Sequence, residues 1–426
     1  MRIYQRHMNK GIVRITVLWV AILLVVLAIG VAIIFGGPVL GKGVTTYTPE
    51  AYTKNTTQLK HVSQGPSPVK RVPTPSSVRS VYMSQCAASS NSFRDEITSL
   101  VADTEVNSII IDIKDFTGTV SFPRGEGVED LGGVGCKVSD MKEFLKELHE
   151  ENIYLIGRIT VFQDPLYTSV YPELAVQSKS KGTPWQDYKG LAFVDVGAKP
   201  FWDYIVDIAN ESYAIGFDEL NFDYVRYPSD GPMSDVQFNH SDYSQRQVEL
   251  EKFFRYLSQK VRRADAFGNV PVLSVDLFGM TTTNSDDLRI GQVLERATPY
   301  FDYIAPMVYP SHYPRGFNGY ANPNDEVYGV VKYSMDRAVE RVTATTTKIA
   351  SFAYERIGTS TPAIYSKPAR DPNVLRPWLQ DFDYGGDYGP EEVRAQIQAT
   401  YDAGLRSWML WAPSNYYTRG GLELAK

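Results

Sequence analysis

The feature that most constrains the fold of this chain is an alternation of short strand-like runs with longer amphipathic stretches, which begins at residue 78. Nine runs rich in β-branched and aromatic residues have the length of strands: 78–84, 108–115, 153–162, 191–196, 215–225, 270–279, 301–309, 348–354 and 405–411. The stretches 139–151, 199–214 and 245–264 carry apolar side chains at helical spacing. Strands that alternate with helices predict a parallel sheet covered by helices.

The number of runs favours a closed barrel. The run at 191–196 is the shortest and lies in a long insertion before a helix, so we leave it out. The remaining runs span about 350 residues, as expected for a TIM barrel with insertions. An open doubly wound sheet is the alternative, but no glycine-rich phosphate loop follows the first run. We therefore predict an α/β protein with a (β/α)8 TIM barrel at residues 78–426.

A different pattern precedes the barrel. Residues 15–35 are apolar and uncharged, and a helix of that length rises about 31 Å, enough to cross a membrane. Four basic residues and no acidic ones precede this run, which predicts a cytoplasmic N-terminus. Residues 36–77 are rich in Pro, Ser, Thr and Gly. We predict a cytoplasmic tail at 1–14, a transmembrane signal anchor at 15–35, a flexible linker at 36–77 and an extracytoplasmic barrel. A cleaved signal peptide is the alternative.

Charge and composition exclude several classes of function. The net charge is −6, and an acidic protein lacks the basic footprint that nucleic acid requires. No pair of closely spaced histidines and no GxSxG elbow occurs, so we predict no metal, no cofactor and no serine hydrolase of that type. Tyrosine occurs 28 times, which suits sugar binding because its ring stacks and its hydroxyl forms hydrogen bonds. Cys86 and Cys136 are either free thiols or a single disulfide.

Polar residues at the ends of the predicted strands indicate a site, because the carboxyl ends of the strands form the active face of a TIM barrel. Several of them share one parity along their strands and are expected to point inward. They are Asp112 and Lys114 in the second run, Arg158 in the third, Asn221 and Asp223 in the fourth, Asp276 in the fifth, Tyr309 in the sixth and Trp411 in the eighth. The pattern predicts an acidic, aromatic crater with Lys114 and Arg158 as its positive charges.

Two of these carboxylates are candidates for catalysis. Glycoside hydrolysis usually requires two carboxyl groups. Asp223 is the predicted nucleophile or general base, with an ion pair to Arg226 as the structural alternative. Asp276 is the predicted general acid, its pKa raised by burial and by the neighbouring anion, and Asp112 is the substitute.

The remaining candidates are predicted to hold the substrate. Trp378, Gln380 and Asp381 follow the seventh run, and a Trp beside an amide and a carboxylate is a common way to hold a sugar ring. A loop anchored by one buried Trp is the alternative. The predicted substrate-binding residues are Asp112, Lys114, Arg158, Asn221, Arg226, Tyr309, His312, Trp378, Gln380, Asp381 and Trp411.

Four motifs carry a resemblance to a known family. They are SIIIDIKDFTG, GFDELNFDYVRYPSDG, FDYIAPMVYPSHY and PWLQDF. In this order they resemble a bacterial family of TIM-barrel proteins that are assigned as glycoside hydrolases, and the resemblance covers roughly residues 78–420. It implies a hydrolase that acts on a cell-envelope or environmental polysaccharide.

A more distant similarity concerns chitinase-like barrels, whose fourth-strand motif is DxxDxDxE. The segment GFDELNFDYV places Asp218, Asn221 and Asp223 at its Asp positions and Val225 at the acid Glu, so this similarity does not imply a chitinase-type mechanism. It does place Tyr309 in the sugar site. Two alternatives remain: a carbohydrate-binding or envelope-organising barrel without catalysis, and a metal-dependent hydrolase with Asp112, Asp223 and Asp276 as ligands.

Overall fold

A closed parallel barrel is the centre of the computed structural model, which describes residues 69–125, 128–265 and 268–425. Within these ranges eight strands form the barrel: β1 (Arg79–Met83), β2 (Ser108–Lys114), β3 (Tyr154–Thr160), β4 (Glu219–Asp223), β5 (Val272–Phe278), β6 (Tyr303–Met307), β7 (Trp378–Gln380) and β8 (Trp408–Trp411). Each strand pairs with the next one in the chain, and β8 pairs with β1. The predicted TIM barrel is confirmed.

Helices cover the outside of the barrel. In the described part of the chain they are Gln85–Ala88, Asn91–Asp103, Met141–Glu150, Pro165–Val170, Lys199–Ile215, Arg246–Val261, Leu294–Ala297, Val327–Thr343 and Pro390–Asp402. In Met141–Glu150 the apolar residues Phe144, Leu145 and Leu148 are buried, as the helical spacing predicts. The three predicted helices are confirmed to within a few residues at their ends.

The prediction for the seventh strand is wrong. Residues 348–354 form no strand but connect Thr346–Thr347 to Glu355–Ile357 in a small antiparallel sheet outside the barrel. The barrel strand is β7, which is only three residues long and follows Pro377. So short a strand shows no alternation that distinguishes it from a loop. As a result, Trp378 and Gln380 belong to the barrel wall.

The predicted position of Lys114 is also wrong. The pairing of β2 with β3 shifts between Asp112 and Lys114, so Asp112 lies opposite Arg158 and Lys114 opposite Ile159. This β-bulge reverses the parity after Asp112. The Lys114 ammonium lies 2.9 Å from the carboxylate of Asp164 and is fully buried. Lys114 therefore stabilises the barrel wall and is not a charge of the crater.

The amino end of the barrel is closed by buried polar contacts. The guanidinium of Arg376 donates to the carboxylate of Glu219 at 2.8 Å, and the hydroxyl of Tyr154 donates to the same carboxylate at 2.9 Å. The backbone N–H of Val72, upstream of β1, donates to Asp218. These contacts fill the amino end of the barrel in the described part of the chain.

The predicted tail and anchor lie outside the described residues, as does the linker up to residue 68. No helix in the described ranges is long and apolar enough to cross a bilayer. Cys86 and Cys136, which the sequence left open as thiols or a bridge, form a disulfide. It joins the short helix after β1 to the long connection after β2.

We expect the substitution Lys114→Met to destabilise the barrel. It leaves the carboxylate of Asp164 buried without its cation, and breaking a buried ion pair typically costs about 3–5 kcal/mol in the free energy of unfolding. Urea unfolding of the purified protein measures this loss. The matched control is Lys146→Met, because Lys146 pairs with Glu150 on the surface, where side-chain exposures are 77% and 62%. Equal stability of the two variants would contradict the assignment.

Candidate active site

One arginine organises the carboxyl end of the barrel. Arg158 on β3 donates from one terminal nitrogen to Asp112 at 2.7 Å and from the other to Asp223. Its Nε lies 3.8 Å from Oδ2 of Asp276. Burial disfavours the charge of Arg158, but the carboxylates of Asp112 and Asp223 outweigh burial and raise the pKa of the guanidinium well above its usual range. Arg158 is therefore a permanent cation shared by three acids from three strands.

Asp276 is buried more completely than the other two acids. Its Oδ1 accepts hydrogen bonds from the amide of Asn221 and the indole N–H of Trp378, both at 2.8 Å. Its Oδ2 has no hydrogen-bond partner among the described residues. Burial, and then the charge of Asp223, raise the pKa of Asp276 well above its ordinary value. The environment favours a protonated carboxyl whose proton is on Oδ2.

Asp223 lies at the carboxyl end of β4 in a different environment. Its Oδ2 accepts from Arg158, and its Oδ1 accepts from the backbone N–H of Tyr224. Tyr224 has φ 52°, the left-handed region that bulky residues rarely adopt. Such strain is concentrated at functional sites. Here it accompanies the N–H contact that stabilises the negative charge of Asp223.

A cavity of about 370 Å³ opens above these acids. Asp223, Asp276 and Arg158 form its polar floor, and aromatic side chains form much of its wall. Trp411 stacks on Tyr82 with a ring-centroid distance of 4.0 Å and meets Trp378 edge-on at 5.6 Å. This combination of apolar walls and a few convergent polar groups is typical of small-molecule sites.

Ten of the predicted site residues form two groups by their positions. The residues that line the cavity are Arg158, Asp223, Arg226, Asp276, Tyr309, His312, Trp378 and Trp411. Asp112 and Asn221 lie beneath them and bind Arg158 and Asp276. Burial raises the pKa of Tyr309 and lowers that of His312, so both side chains are neutral near neutral pH.

Gln380 and Asp381 are placed differently from the cavity residues. The side-chain oxygen of Gln380 accepts from the backbone and hydroxyl of Ser311, and the carboxylate of Asp381 accepts from the backbone and hydroxyl of Thr418. Neither residue is among the cavity-lining side chains. Their contacts connect the loops after β6, β7 and β8, and their predicted role in substrate binding stays a prediction.

Sequence reasoning missed several residues of the site. Tyr82 on β1 donates its hydroxyl to Asp112, and Phe278 on β5 lines the cavity. Both have the parity of the inward-facing residues, and that rule identifies them when it is applied to every strand. Tyr224 and Asp230 also line the cavity. They follow β4 in a loop, where strand parity gives no information.

The three acids do not form an open set of metal ligands. The guanidinium of Arg158 contacts each of them. Across the described residues no group of three or more His, Cys, Asp and Glu side chains is arranged to hold a metal ion. The geometry does not favour the metal-dependent alternative.

We expect Arg158→Gln to lower stability in a pH-dependent way. Burial already raises the pKa of Asp112 and Asp276, and Arg158 opposes that rise. In the Arg158→Gln protein both pKa values rise further. The free energy of unfolding of this variant therefore decreases as the pH rises through the pKa values of Asp112 and Asp276. The deficit in the free energy of unfolding is about 3–5 kcal/mol at neutral pH and shrinks as the pH falls. Denaturant titrations across pH measure it.

The control for this variant is Arg262→Gln, whose partner Asp302 is partly exposed at the amino end of the barrel. That substitution is expected to have a small effect at every pH. A deficit for Arg158→Gln that does not change with pH would contradict the shared-cation description.

Comparison with known proteins identifies relatives of this chain. A protein of unassigned function from Ruminiclostridium thermocellum is 30% identical over 46% of this chain and 96% of that one, with a TM-score of 0.39. The PgaB (BpsB) glycoside hydrolase domain from Bordetella bronchiseptica is 13% identical over 82% of this chain and 100% of that one, with a TM-score of 0.55, which shows a shared fold. No curated protein sequence matches.

The match to a family profile is more extensive. It covers residues 80–417, from the first strand of the barrel to beyond the last, and the family is described as "Putative glycosyl hydrolase domain". The resemblance inferred from the four sequence motifs is confirmed. The chain belongs to this glycosyl hydrolase family.

Proposed function

We propose that the protein is a glycoside hydrolase that cleaves a cell-envelope or environmental polysaccharide through Asp223 and Asp276. One observation carries the proposal. A carboxyl whose pKa is raised by burial lies beside a carboxylate that binds a cation, and both line one cavity at the carboxyl end of the barrel. Glycoside hydrolysis usually requires two carboxyl groups in different environments, one as general acid and the other as nucleophile or base.

Asp276 is suited to the role of general acid. Asn221 and Trp378 donate to Oδ1 and leave Oδ2 without a partner in the described structure. No described group accepts a proton from Oδ2, and Asp276 lines the cavity, so that proton is the one available to a glycosidic oxygen that reaches this buried carboxyl. The raised pKa keeps that proton in place at a higher pH than an ordinary aspartic acid allows.

Asp223 is suited to the role of nucleophile or general base. Arg158 donates to Oδ2 of Asp223, and the backbone N–H of Tyr224 donates to its Oδ1. An ionised carboxylate can attack the anomeric carbon, activate water or stabilise positive charge on the sugar ring. The predicted structural alternative, an ion pair with Arg226, is not what the side chains form: Arg226 donates to the carbonyl of Tyr227 and to Ser229.

Aromatic side chains supply the binding surface for the sugar. Trp378, Trp411 and Tyr309 line the cavity and give its wall the aromatic surface that suits a pyranose. Arg226 and His312 lie in the same wall and supply polar groups for sugar hydroxyls.

We also propose that this domain acts outside the cytoplasm on a membrane anchor. The apolar run at 15–35 with basic residues before it supports the anchor. The disulfide between Cys86 and Cys136 supports an oxidising compartment, because cytosolic thiols are normally kept reduced.

Carbohydrate binding without hydrolysis is the second candidate function. The observation that favours it is Val225, which occupies the position of the acid Glu in chitinase-like barrels and is fully buried. Under this hypothesis Trp411→Ala weakens glycan binding. The wild-type protein releases no reducing ends from any glycan, because it does not hydrolyse them.

We expect Asp223→Asn and Asp276→Asn each to lower hydrolysis by about 10²–10⁴-fold, because each removes a proton-transferring or nucleophilic group. The measurement is the release of reducing ends from a panel of bacterial polysaccharides. Folding is checked by circular dichroism.

The control for both variants is Asp302→Asn, an acid that pairs with Arg262 at the opposite end of the barrel. It is expected to retain activity. Full activity of Asp223→Asn on a substrate that the wild type cleaves would refute the assignment.

We expect Trp378→Phe to move the alkaline limb of the pH–activity profile. The general acid works only when protonated, so activity falls as the pH rises through the pKa of Asp276. The Trp378 N–H stabilises the ionised form and lowers that pKa. Its removal raises the pKa further and shifts the limb to higher pH. Trp202→Phe is the control, because the indole N–H of Trp202 donates to the carbonyl of Val196 away from the site. If the alkaline limb of the pH–activity profile does not move in the Trp378→Phe protein, the proposed role of Asp276 as general acid is wrong.

A further inference from the structure

A second and larger cavity lies beside the active-site cavity. It has a volume of about 610 Å³ and is enclosed by the insertion after β3 and the loop after β4; we call it the insertion cavity. Its walls include Lys181, Trp185, Gln186, Tyr188 and Asp235. The volume falls in the range of about 300–1,000 Å³ that is typical of ligand sites.

The insertion cavity has a firmly held wall. Residues Gln177–Ser178 of the insertion pair with Val236–Gln237 of the loop after β4. The buried indole of Trp185 donates to the carbonyl of Pro232 at 3.2 Å. A site whose walls are fixed before binding loses less conformational entropy when a ligand enters.

The loop after β4 contributes to the lining of both cavities, on either side of Gly231. Asp230 lines the active-site cavity and Pro232 lines the insertion cavity. Gly231 has φ +132°, and a Cβ at this position would lie 2.7 Å from the ring of Trp185 and 3.0 Å from the backbone of Asp187. Glycine thus allows the loop to pass between the cavities without a side chain.

Charged residues of the insertion act electrostatically on two side chains of the active-site wall. Burial raises the pKa of Tyr224 in the active-site wall, and the carboxylate of Asp187 adds to the rise. Burial lowers the pKa of His312, and the ammonium of Lys189 lowers it further. Asp187 and Tyr188 line the insertion cavity, and Tyr188 lies in the chain between the two residues whose charges act on the active-site wall.

The chemistry of the insertion cavity matches a sugar. Tyr188 is 76% exposed, and its ring offers a face on which a pyranose can stack. Lys181, Thr183 and Gln186 are exposed at the same cavity and present donors and acceptors for hydroxyl groups.

We propose that the insertion cavity is a glycan subsite, which binds sugar units of the same chain whose scissile bond lies between Asp223 and Asp276. The inference rests on the proposed function and narrows its substrate class. The ligand is a long polysaccharide chain that spans both cavities, rather than a short oligosaccharide that fills only the active-site cavity.

Binding as a function of chain length tests the subsite. The protein used is the full chain with Asp276→Asn, which is expected to bind glycans without cleaving them. The probes are arrayed α- and β-linked oligosaccharides, from disaccharides to chains that span both cavities. For the sugar and linkage that the protein recognises, affinity is expected to increase with the length of the oligosaccharide. Adding Tyr188→Ala is expected to weaken binding of the long chains by about tenfold, through loss of the stacking contact, and to leave disaccharide binding unchanged.

Phe352→Ala is the matched control. Phe352 is a 50% exposed aromatic residue in the connection that leads to the amino end of β7. Equal binding of long chains by the Tyr188→Ala and Phe352→Ala proteins would overturn the proposal, and so would an affinity that does not depend on length. No binding to any probe would overturn the subsite and the proposed function together.

A parallel assay of wild-type protein on the bound glycan separates the two claims. Length-dependent, Tyr188-dependent binding without release of reducing ends would refute the hydrolase while the subsite stands. Hydrolysis with no effect of Tyr188→Ala on long-chain affinity would refute the subsite alone.

Discussion

The arrangement of the active face depends on the guanidinium of Arg158. Three carboxylates from β2, β4 and β5 lie within reach of it, and burial of such groups without a cation is strongly unfavourable. A planar group with donors on several edges holds three acids at once, which a lysine cannot do. The barrel fixes the register that brings these strands together, and Arg158 makes the resulting concentration of acid compatible with folding.

The three acids differ in their contacts with Arg158, and this difference is the basis of the proposed chemistry. Asp112 and Asp223 receive direct hydrogen bonds from the terminal nitrogens, whereas Asp276 lies 3.8 Å from Nε and depends on neutral donors. Burial then raises the pKa of Asp276. Burial, together with unequal contact to one arginine, thus distinguishes the proposed acid from the proposed base within a single cavity.

Much of this was accessible from the sequence, and the failures have physical causes. Runs of β-branched and aromatic residues located seven of the barrel strands, and parity placed Arg158, Asn221 and Asp276 together. The rule failed at Lys114, because a one-residue bulge after Asp112 reverses which face a side chain takes. It failed at β7, because three residues beside a proline carry too little pattern to outweigh the longer run at 348–354. The insertion cavity depends on contacts between the two loops after β3 and β4, and local spacing does not encode such contacts.

The most direct test of the central claim is a crystal structure of the Asp276→Asn protein with a bound oligosaccharide. The account predicts a glycosidic oxygen within hydrogen-bond reach of residue 276, about 2.6–3.2 Å, and the adjoining anomeric carbon facing Asp223. A glycan that binds elsewhere on the barrel, or that crosses the cavity with every glycosidic bond remote from residue 276, would contradict it.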